Sequence, residues 1–204
     1  MTTRVVTALL CVAGAWLLRT PLEATMIGHM LLQWPLLLGA GLLLIPSGRR
    51  ASVEWNWMGV PGLLLASSAL LVWMLPLMLD RAVDHQAADA AKCASLVVTG
   101  ALARWSWQLA SMPVRLFFAG NTLWMTATVG VVLQSARTQL CTSYLVNDQR
   151  WTGLAFVVLS AALVVIGGVP LLRRSGVLDP TEERRPTVLR AGTQRTTAEV
   201  TSSQ

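Results

Sequence analysis

The chain has few of the residues on which soluble enzymes depend. Charged residues make up 13% of its 204 residues, and it contains two histidines and one tyrosine. Its sequence has no Gly-rich phosphate loop and no HExxH, CxxC or GxSxG pattern, which excludes the catalytic and metal-binding motifs built on those residues. Two histidines leave little material for acid–base catalysis. The sequence therefore predicts that the chain is not a standalone enzyme.

Cysteine is equally scarce. The chain has three cysteines, which cannot form a disulfide framework, and Cys11 lies inside an apolar run. Only Cys93 and Cys141 fall in one layer of the predicted topology, on the side where an oxidising compartment can join them. A structural disulfide and two separate thiols both remain open.

Apolar residues, in contrast, are abundant. They make up 54% of the sequence, and the mean hydropathy is +0.56. A membrane-spanning helix needs about 20 apolar residues, and runs close to that length are found at 4–19, 22–46, 60–79, 92–112, 114–134 and 151–172. The first run also resembles a signal peptide, but a retained helix is the preferred interpretation. The sequence thus predicts an all-α polytopic membrane bundle of about six transmembrane helices, a multi-pass protein of a bacterial inner membrane.

The distribution of positive charge predicts the orientation and the partners. Arginines are in modest excess on the side that carries both termini, which places both termini in the cytoplasm. Residues 1–172 form the predicted transmembrane domain, and residues 173–204 form a polar cytoplasmic tail, which either docks a partner or is a solvated extension. The positive charges lie at loop ends and in the tail, so nucleic acid is not an expected partner. Membrane lipid and other membrane-protein subunits are.

The most informative run is "TMIGHMLLQWPLLLGAG", residues 25–41. Met26, His29, Met30 and Gln33 have i, i+3, i+4, i+7 spacing and share one helix face. The predicted topology brings three further residues with soft or nitrogen ligands to the same outer layer, namely Met78, His85 and Cys93. Together these residues offer the sulfur and nitrogen ligands that a soft metal such as Cu(I) prefers.

Each of these residues also has a structural interpretation. A single Met in a membrane helix is usually packing material. His29 can form a hydrogen bond between helices, and His85 lies in a polar loop where a solvated imidazole is common. Alternatively, His29 and His85 ligate one haem b from opposite sides.

The same stretch resembles the signature helix of the CtaG family. This family comprises multi-pass bacterial membrane proteins implicated in copper delivery to cytochrome c oxidase, in which a His–Met face precedes a proline and a Leu–Gly run. "VDHQAADAAKCASLVVTGAL" is loosely similar to a second family segment. The resemblance implies a metal role for His29 and, more weakly, for Met26 and Met30. It departs from the family at Thr25, where the family carries a further histidine.

Three functions follow as hypotheses. The first is an accessory or assembly component of a respiratory or copper-enzyme complex that handles copper through His29, with Met26, Met30 and Met78 as supplementary ligands and His85 and Cys93 at the mouth. The second is a haem b electron-transfer subunit. The third is a purely structural subunit, with small residues that let its helices pack closely. No chain of intramembrane charges marks an ion path in the sequence, so a transporter is not expected.

Overall fold

The computed structural model describes residues 2–46, 48, 53–136, 138–141 and 143–174. Helix accounts for 87% of the structure, and these described residues contain no strand. The helices are α1 (Thr2–Leu17), α2 (Arg19–Glu23), α3 (Trp34–Leu44), α4 (Val60–Trp73), α5 (Pro76–Asp84), α6 (Gln86–Leu109), α7 (Met112–Ser135) and α8 (Val146–Arg174). A π-helical segment, Gly28–Gln33, leads into α3, and a 3-10 helix, Glu54–Gly59, leads into α4. The prediction of an all-α fold is confirmed.

Among the described residues, three helical stretches are long and apolar enough to cross a membrane: Glu54–Trp73, Met112–Ser135 and Val146–Gly168. Thr3–Leu17 and Gly28–Leu44 are shorter apolar helices. The structure is therefore compatible with a membrane protein, while the number of six spans and the orientation stay predictions. The predicted tail lies outside the described residues from position 175 onward.

Prolines mark the starts of several helices. Pro61, Pro76 and Pro113 each occupy one of the first two positions of a helix, where a missing N–H costs no hydrogen bond. At Pro76 the preceding residue, Leu75, is extended with φ −70° and ψ 130°, as the proline ring favours. This break divides the predicted third span, 60–79, between α4 and α5.

The four residues that were predicted to share one helix face are buried together, at and just before the π-helical segment. Met26, His29, Met30 and Gln33 are all buried, with relative exposures of 3% or less. A π turn fits one extra residue into a helix and is often found at functional sites. His29 and Gln33 lie within it, so both polar side chains face the interior of the bundle.

The closest helix packing is between α3 and α6. A Cβ atom added to Gly41 would overlap the carbonyl oxygen of Val97, and one added to Gly100 would overlap the carbonyl oxygen of Leu38. Glycine at both positions lets the two backbones approach each other. This contact continues into the main core cluster, which includes Leu37 and Leu96, both with 0% exposure.

A Gly41→Ala variant is expected to lower the free energy of unfolding by about 1–3 kcal/mol, because the new methyl group would overlap backbone atoms that cannot move cheaply. Gly39 lies two residues earlier in α3, and a Cβ atom added there would have no neighbour within 4 Å. Gly39→Ala is therefore the matched control, and it should raise stability by roughly 0.5–1 kcal/mol through helix propensity. Thermal or denaturant unfolding in mild detergent measures both, and equal effects would contradict the close packing.

Candidate functional site

The centre of the candidate site is the ammonium group of Lys92, whose side chain has 0% exposure. It is the only lysine among sixteen Lys and Arg residues of the chain. Four acceptor atoms surround its Nζ: Glu23 Oε1 at 2.8 Å, Asp89 Oδ1 at 2.8 Å, His29 Nε2 at 2.9 Å and Gln33 Oε1 at 3.0 Å. A buried ammonium is tolerated only with such partners, because the loss of its hydration is costly.

Three elements bring these groups together. The short helix α2 ends at Glu23, the π-helical segment carries His29 and Gln33, and α6 carries Asp89 and Lys92 at i, i+3 spacing on one face. Gln33 Nε2 also donates to Glu23 Oε1 at 3.0 Å. The groups therefore form one connected network.

On the far side of His29, the network reaches the loop between α7 and α8. His29 Nδ1 lies 2.7 Å from the hydroxyl oxygen of Tyr144. Because the Lys92 ammonium can only donate, Nε2 of His29 accepts, and the neutral ring then carries its proton on Nδ1 and donates to Tyr144. Burial raises the pKa of the Tyr144 phenol, and the negative charge of Glu23 adds to this. The hydroxyl of Tyr144 thus stays protonated.

We refer to Lys92, Glu23, Asp89, His29, Gln33 and Tyr144 together as the Lys92 cluster. The loop that supplies Tyr144 is itself held by side-chain bonds. Gln139 Nε2 donates to the carbonyl oxygen of Tyr144 at 2.6 Å, and the Leu140 amide donates to Gln149 Oε1 at 3.0 Å. Asp148, just after the loop, accepts from the Met26 backbone amide. The π-helical segment therefore contacts the loop at Tyr144, and Met26, just before the segment, contacts the start of α8 at Asp148.

A cavity of about 560 Å³ opens beside the cluster, between α2, α5 and α6. Glu23 and Asp89 belong both to its wall and to the cluster, and Arg19 and Asp84 also line it. Arg19 pairs with Asp89 at 3.7 Å, but its side chain is 36% exposed, so this pair is screened by solvent. In the buried part of the cluster, the ammonium of Lys92 therefore faces the two carboxylates of Glu23 and Asp89. Both carboxylates also line the cavity, which gives water access to them.

The structure brings some of the predicted site residues together. Met26, Met30 and Cys93 belong to one buried cluster, against which Met74 also packs. Cys93 Sγ lies 3.8 Å from Asp89 Oδ1. Met78 is half-buried, and His85 is exposed at the junction of α5 and α6. The thiols of Cys93 and Cys141 are free and buried, and burial raises the pKa of Cys141 to about 11, with Asp80 contributing.

The geometry bears on the metal and haem hypotheses. Both ring nitrogens of His29 already have hydrogen-bond partners. Within the described ranges, no group of three or more His, Cys, Asp or Glu side chains is arranged to hold a metal ion. A metal ion or haem iron that binds His29 therefore has to replace its hydrogen bond to Lys92 or to Tyr144. His85, the other proposed ligand, precedes Lys92 by seven residues, which corresponds to roughly 10 Å along α6.

Sequence patterns did not identify the charged members of the Lys92 cluster, which are Lys92, Glu23 and Asp89. From the sequence, Lys92 is expected as a charge at the end of a loop, whereas the structure buries it against Glu23 and Asp89. Two signals were present: Glu23 extends the Met26 and Met30 stripe backward at helical spacing, and Lys92 is the only lysine of the chain. Periodicity assigns residues to a face, but it does not identify the helix that packs there.

No protein family model, curated protein or solved structure matches this chain. The resemblance to the CtaG family accordingly stays a prediction. Function has to be argued from the chemistry of the site.

Replacing Lys92 with Met is expected to lower the free energy of unfolding by about 3–5 kcal/mol, because Glu23 and Asp89 would lose their buried counter-charge. Arg81→Met, which removes an exposed cation from α5, is the matched control and should change stability by less than about 0.5 kcal/mol. Unfolding in mild detergent at neutral pH compares the two variants. A similar small effect of both would mean that the cluster does not hold the fold together.

Proposed function

We propose that the chain is an integral membrane accessory protein that takes up and releases a proton at the Lys92 cluster. The observation that supports this most directly is the unbroken series of contacts from Glu23 through Lys92 and His29 to Tyr144, at 2.8, 2.9 and 2.7 Å. Ionisable groups buried in membrane helices are rare, and they commonly form proton relays. The cavity at Glu23 and Asp89 supplies the contact with water that proton exchange needs.

The identity of the central residue supports proton exchange over a fixed ion pair. An amine bound to carbon has three further directions for hydrogen bonds, whereas Lys92 Nζ has four neighbours within 3.0 Å. One neighbour is therefore always in excess, and the arrangement of protons is not fixed by geometry. Lysine can also give up its proton in a buried site, which arginine cannot. All other basic side chains except His29 and His85 are arginines.

The proton enters from the cavity at Glu23 and Asp89, and its arrival alters the hydrogen bond to Tyr144 in the loop between α7 and α8. A carboxylate of Glu23 or Asp89 accepts a proton from hydronium in the cavity and passes it to Lys92 Nζ, while Lys92 passes its own proton to His29 Nε2. The imidazolium then donates from both ring nitrogens, and its hydrogen bond from Nδ1 to Tyr144 becomes charge-assisted and stronger. Tyr144 is buried, but its neighbours Ser143 and Leu145 are exposed. The α7–α8 loop can therefore transmit the protonation state to a partner subunit.

Because Lys92 is the only lysine, labelling with ¹⁵Nζ-lysine gives a single side-chain NMR signal, and labelling histidine gives two ring systems. In spectra of the full chain in mild detergent recorded over a series of pH values, the Lys92 signal and the His29 ring signals are expected to change together, because the two side chains are hydrogen-bonded to each other. The ring of the exposed His85 is the internal control.

Two results would distinguish proton exchange from a static clamp. Tyr144→Phe should change the ring-nitrogen signals of His29 while leaving those of His85 unchanged, because of the two histidines His29 is the one that contacts the hydroxyl. A Lys92 signal that is constant over the whole range in which the protein stays folded, with an unchanging His29 ring, would contradict the proposal. The cluster would then be a structural cross-link.

Copper handling within a respiratory or copper-enzyme complex is a second candidate function. The observation that favours it is the burial of Met26, Met30 and Cys93 in one core cluster, next to the cluster that contains His29. Lys92 Nζ lies 2.9 Å from His29 Nε2, so the ammonium occupies the ring nitrogen that copper would need. In this function the ammonium has to leave before His29 Nε2 can ligate copper.

Copper(I) binding to the purified chain tests this candidate. Wild type is expected to bind about one copper per chain through the soft ligands, His29→Ala should lose it, and Lys92→Ala should bind more tightly because the competing cation is removed. His85→Ala is the matched control, and it should bind as wild type does if the exposed imidazole only receives ions at the mouth. Equal copper contents in wild type and His29→Ala would rule out this site.

A further inference from the structure

A second cavity, of about 390 Å³, lies between the end of α7 and the start of α8. Its lining residues are Gln134, Asn147, Arg150, Trp151 and Leu154. The two helical stretches that form it, Met112–Ser135 and Val146–Gly168, are both long and apolar enough to cross a membrane. The cavity lies at the ends of both stretches that meet in this loop, where the ends of two spanning helices would reach a membrane surface.

The walls of this cavity are held at a fixed spacing by a glycine contact. A Cβ atom on Gly130 would lie 2.7 Å from the carbonyl oxygen of Gly153, and one on Gly153 would lie 3.0 Å from Gln134 Cγ. α7 and α8 therefore touch backbone to backbone there, and Gln134 stands directly against α8. Because the helices are already in contact below the cavity, they cannot move closer together to close it.

The side chains that line the cavity change along α8 from a cation, Arg150, to an apolar residue, Leu154. Arg150 is exposed, and it has no ion pair with any residue that the structure describes. The neighbouring carboxylate of Asp148 accepts from the Met26 backbone amide, so it is directed into the bundle. Trp151 is 57% exposed, and Leu154 and Val158 follow at helical spacing with 41% and 58% exposure.

We propose that this cavity binds an anionic phospholipid. The guanidinium of Arg150 matches the bidentate geometry of a phosphate group, and the amide groups of Gln134 and Asn147 supply further donors. The indole of Trp151 lies at the level that amphipathic aromatic side chains prefer in a bilayer, and the exposed Leu154 and Val158 continue along the path of an acyl chain. A cation, an indole and an aliphatic stripe in this order match the polar-to-apolar order of a phospholipid, whereas a free phosphate ion needs only the cation.

Native mass spectrometry of the full chain in mild detergent tests the site with three probes: dioleoyl phosphatidylglycerol, dioleoyl phosphatidylcholine and inorganic phosphate. Wild type is expected to retain phosphatidylglycerol in preference to phosphatidylcholine. Arg150→Gln should weaken phosphatidylglycerol binding about fivefold, the effect expected for one basic residue at a membrane surface. Arg81→Gln, which removes an exposed arginine from α5, is the matched control and should leave binding unchanged.

A second variant separates a lipid site from a phosphate site. Leu154→Ser should weaken phosphatidylglycerol binding, because it removes part of the acyl-chain path while leaving Arg150 in place. Three results would overturn the proposal: equal phosphatidylglycerol binding by wild type and Arg150→Gln, an equal loss in Arg81→Gln, or competition by inorganic phosphate alone at matched concentration. Because none of these residues belongs to the Lys92 cluster, the outcome is independent of the proposed function.

Discussion

The burial of one ammonium group is the constraint on which the centre of this structure depends. Lys92 has no exposed side-chain surface, so its hydration has to be replaced by protein acceptors or the fold loses several kcal/mol. Those acceptors come from α2, the π-helical segment and α6. The five-residue helix α2 supplies one of these acceptors, Glu23. The π-helical segment, which departs from regular α-helical geometry, supplies His29 and Gln33. Both elements place their acceptors within 3.0 Å of Nζ.

The apolar packing and the polar cluster support each other. The glycine contact between α3 and α6 brings the two backbones close, and the Lys92 cluster lies along the same pair of helices, toward the start of α6. Without Gly41 and Gly100 the helices would be farther apart, and the Lys92 side chain would have to span a wider gap to His29. In the low-dielectric interior, the hydrogen bonds of the cluster are stronger than in water, and the loss of any single partner is more costly.

Much of the fold followed from the sequence, whereas most of the site did not. Apolar runs predicted the helices, and helical spacing predicted that Met26, His29, Met30 and Gln33 would share a face, as their burial shows. Lys92 was expected at the end of a span, because a charge near a boundary usually reaches the water. Burial of Lys92 depends on Glu23 and His29, which are 69 and 63 positions away in the chain. Such neighbours follow from the packing of helices, and no local pattern specifies that packing.

The choice of lysine at position 92 is the feature that best separates a functional cluster from a structural one. A guanidinium would satisfy two carboxylates with planar, bidentate bonds, and it would keep its charge under all conditions. An ammonium is compact enough to fit at the centre of four acceptors, it can lose a proton, and it can move aside on a flexible stem. The chain uses arginine at every other basic position apart from its two histidines. A compact cation that can lose its proton, placed beside a cavity lined by two of its partner carboxylates, is the arrangement on which the proposed proton exchange rests.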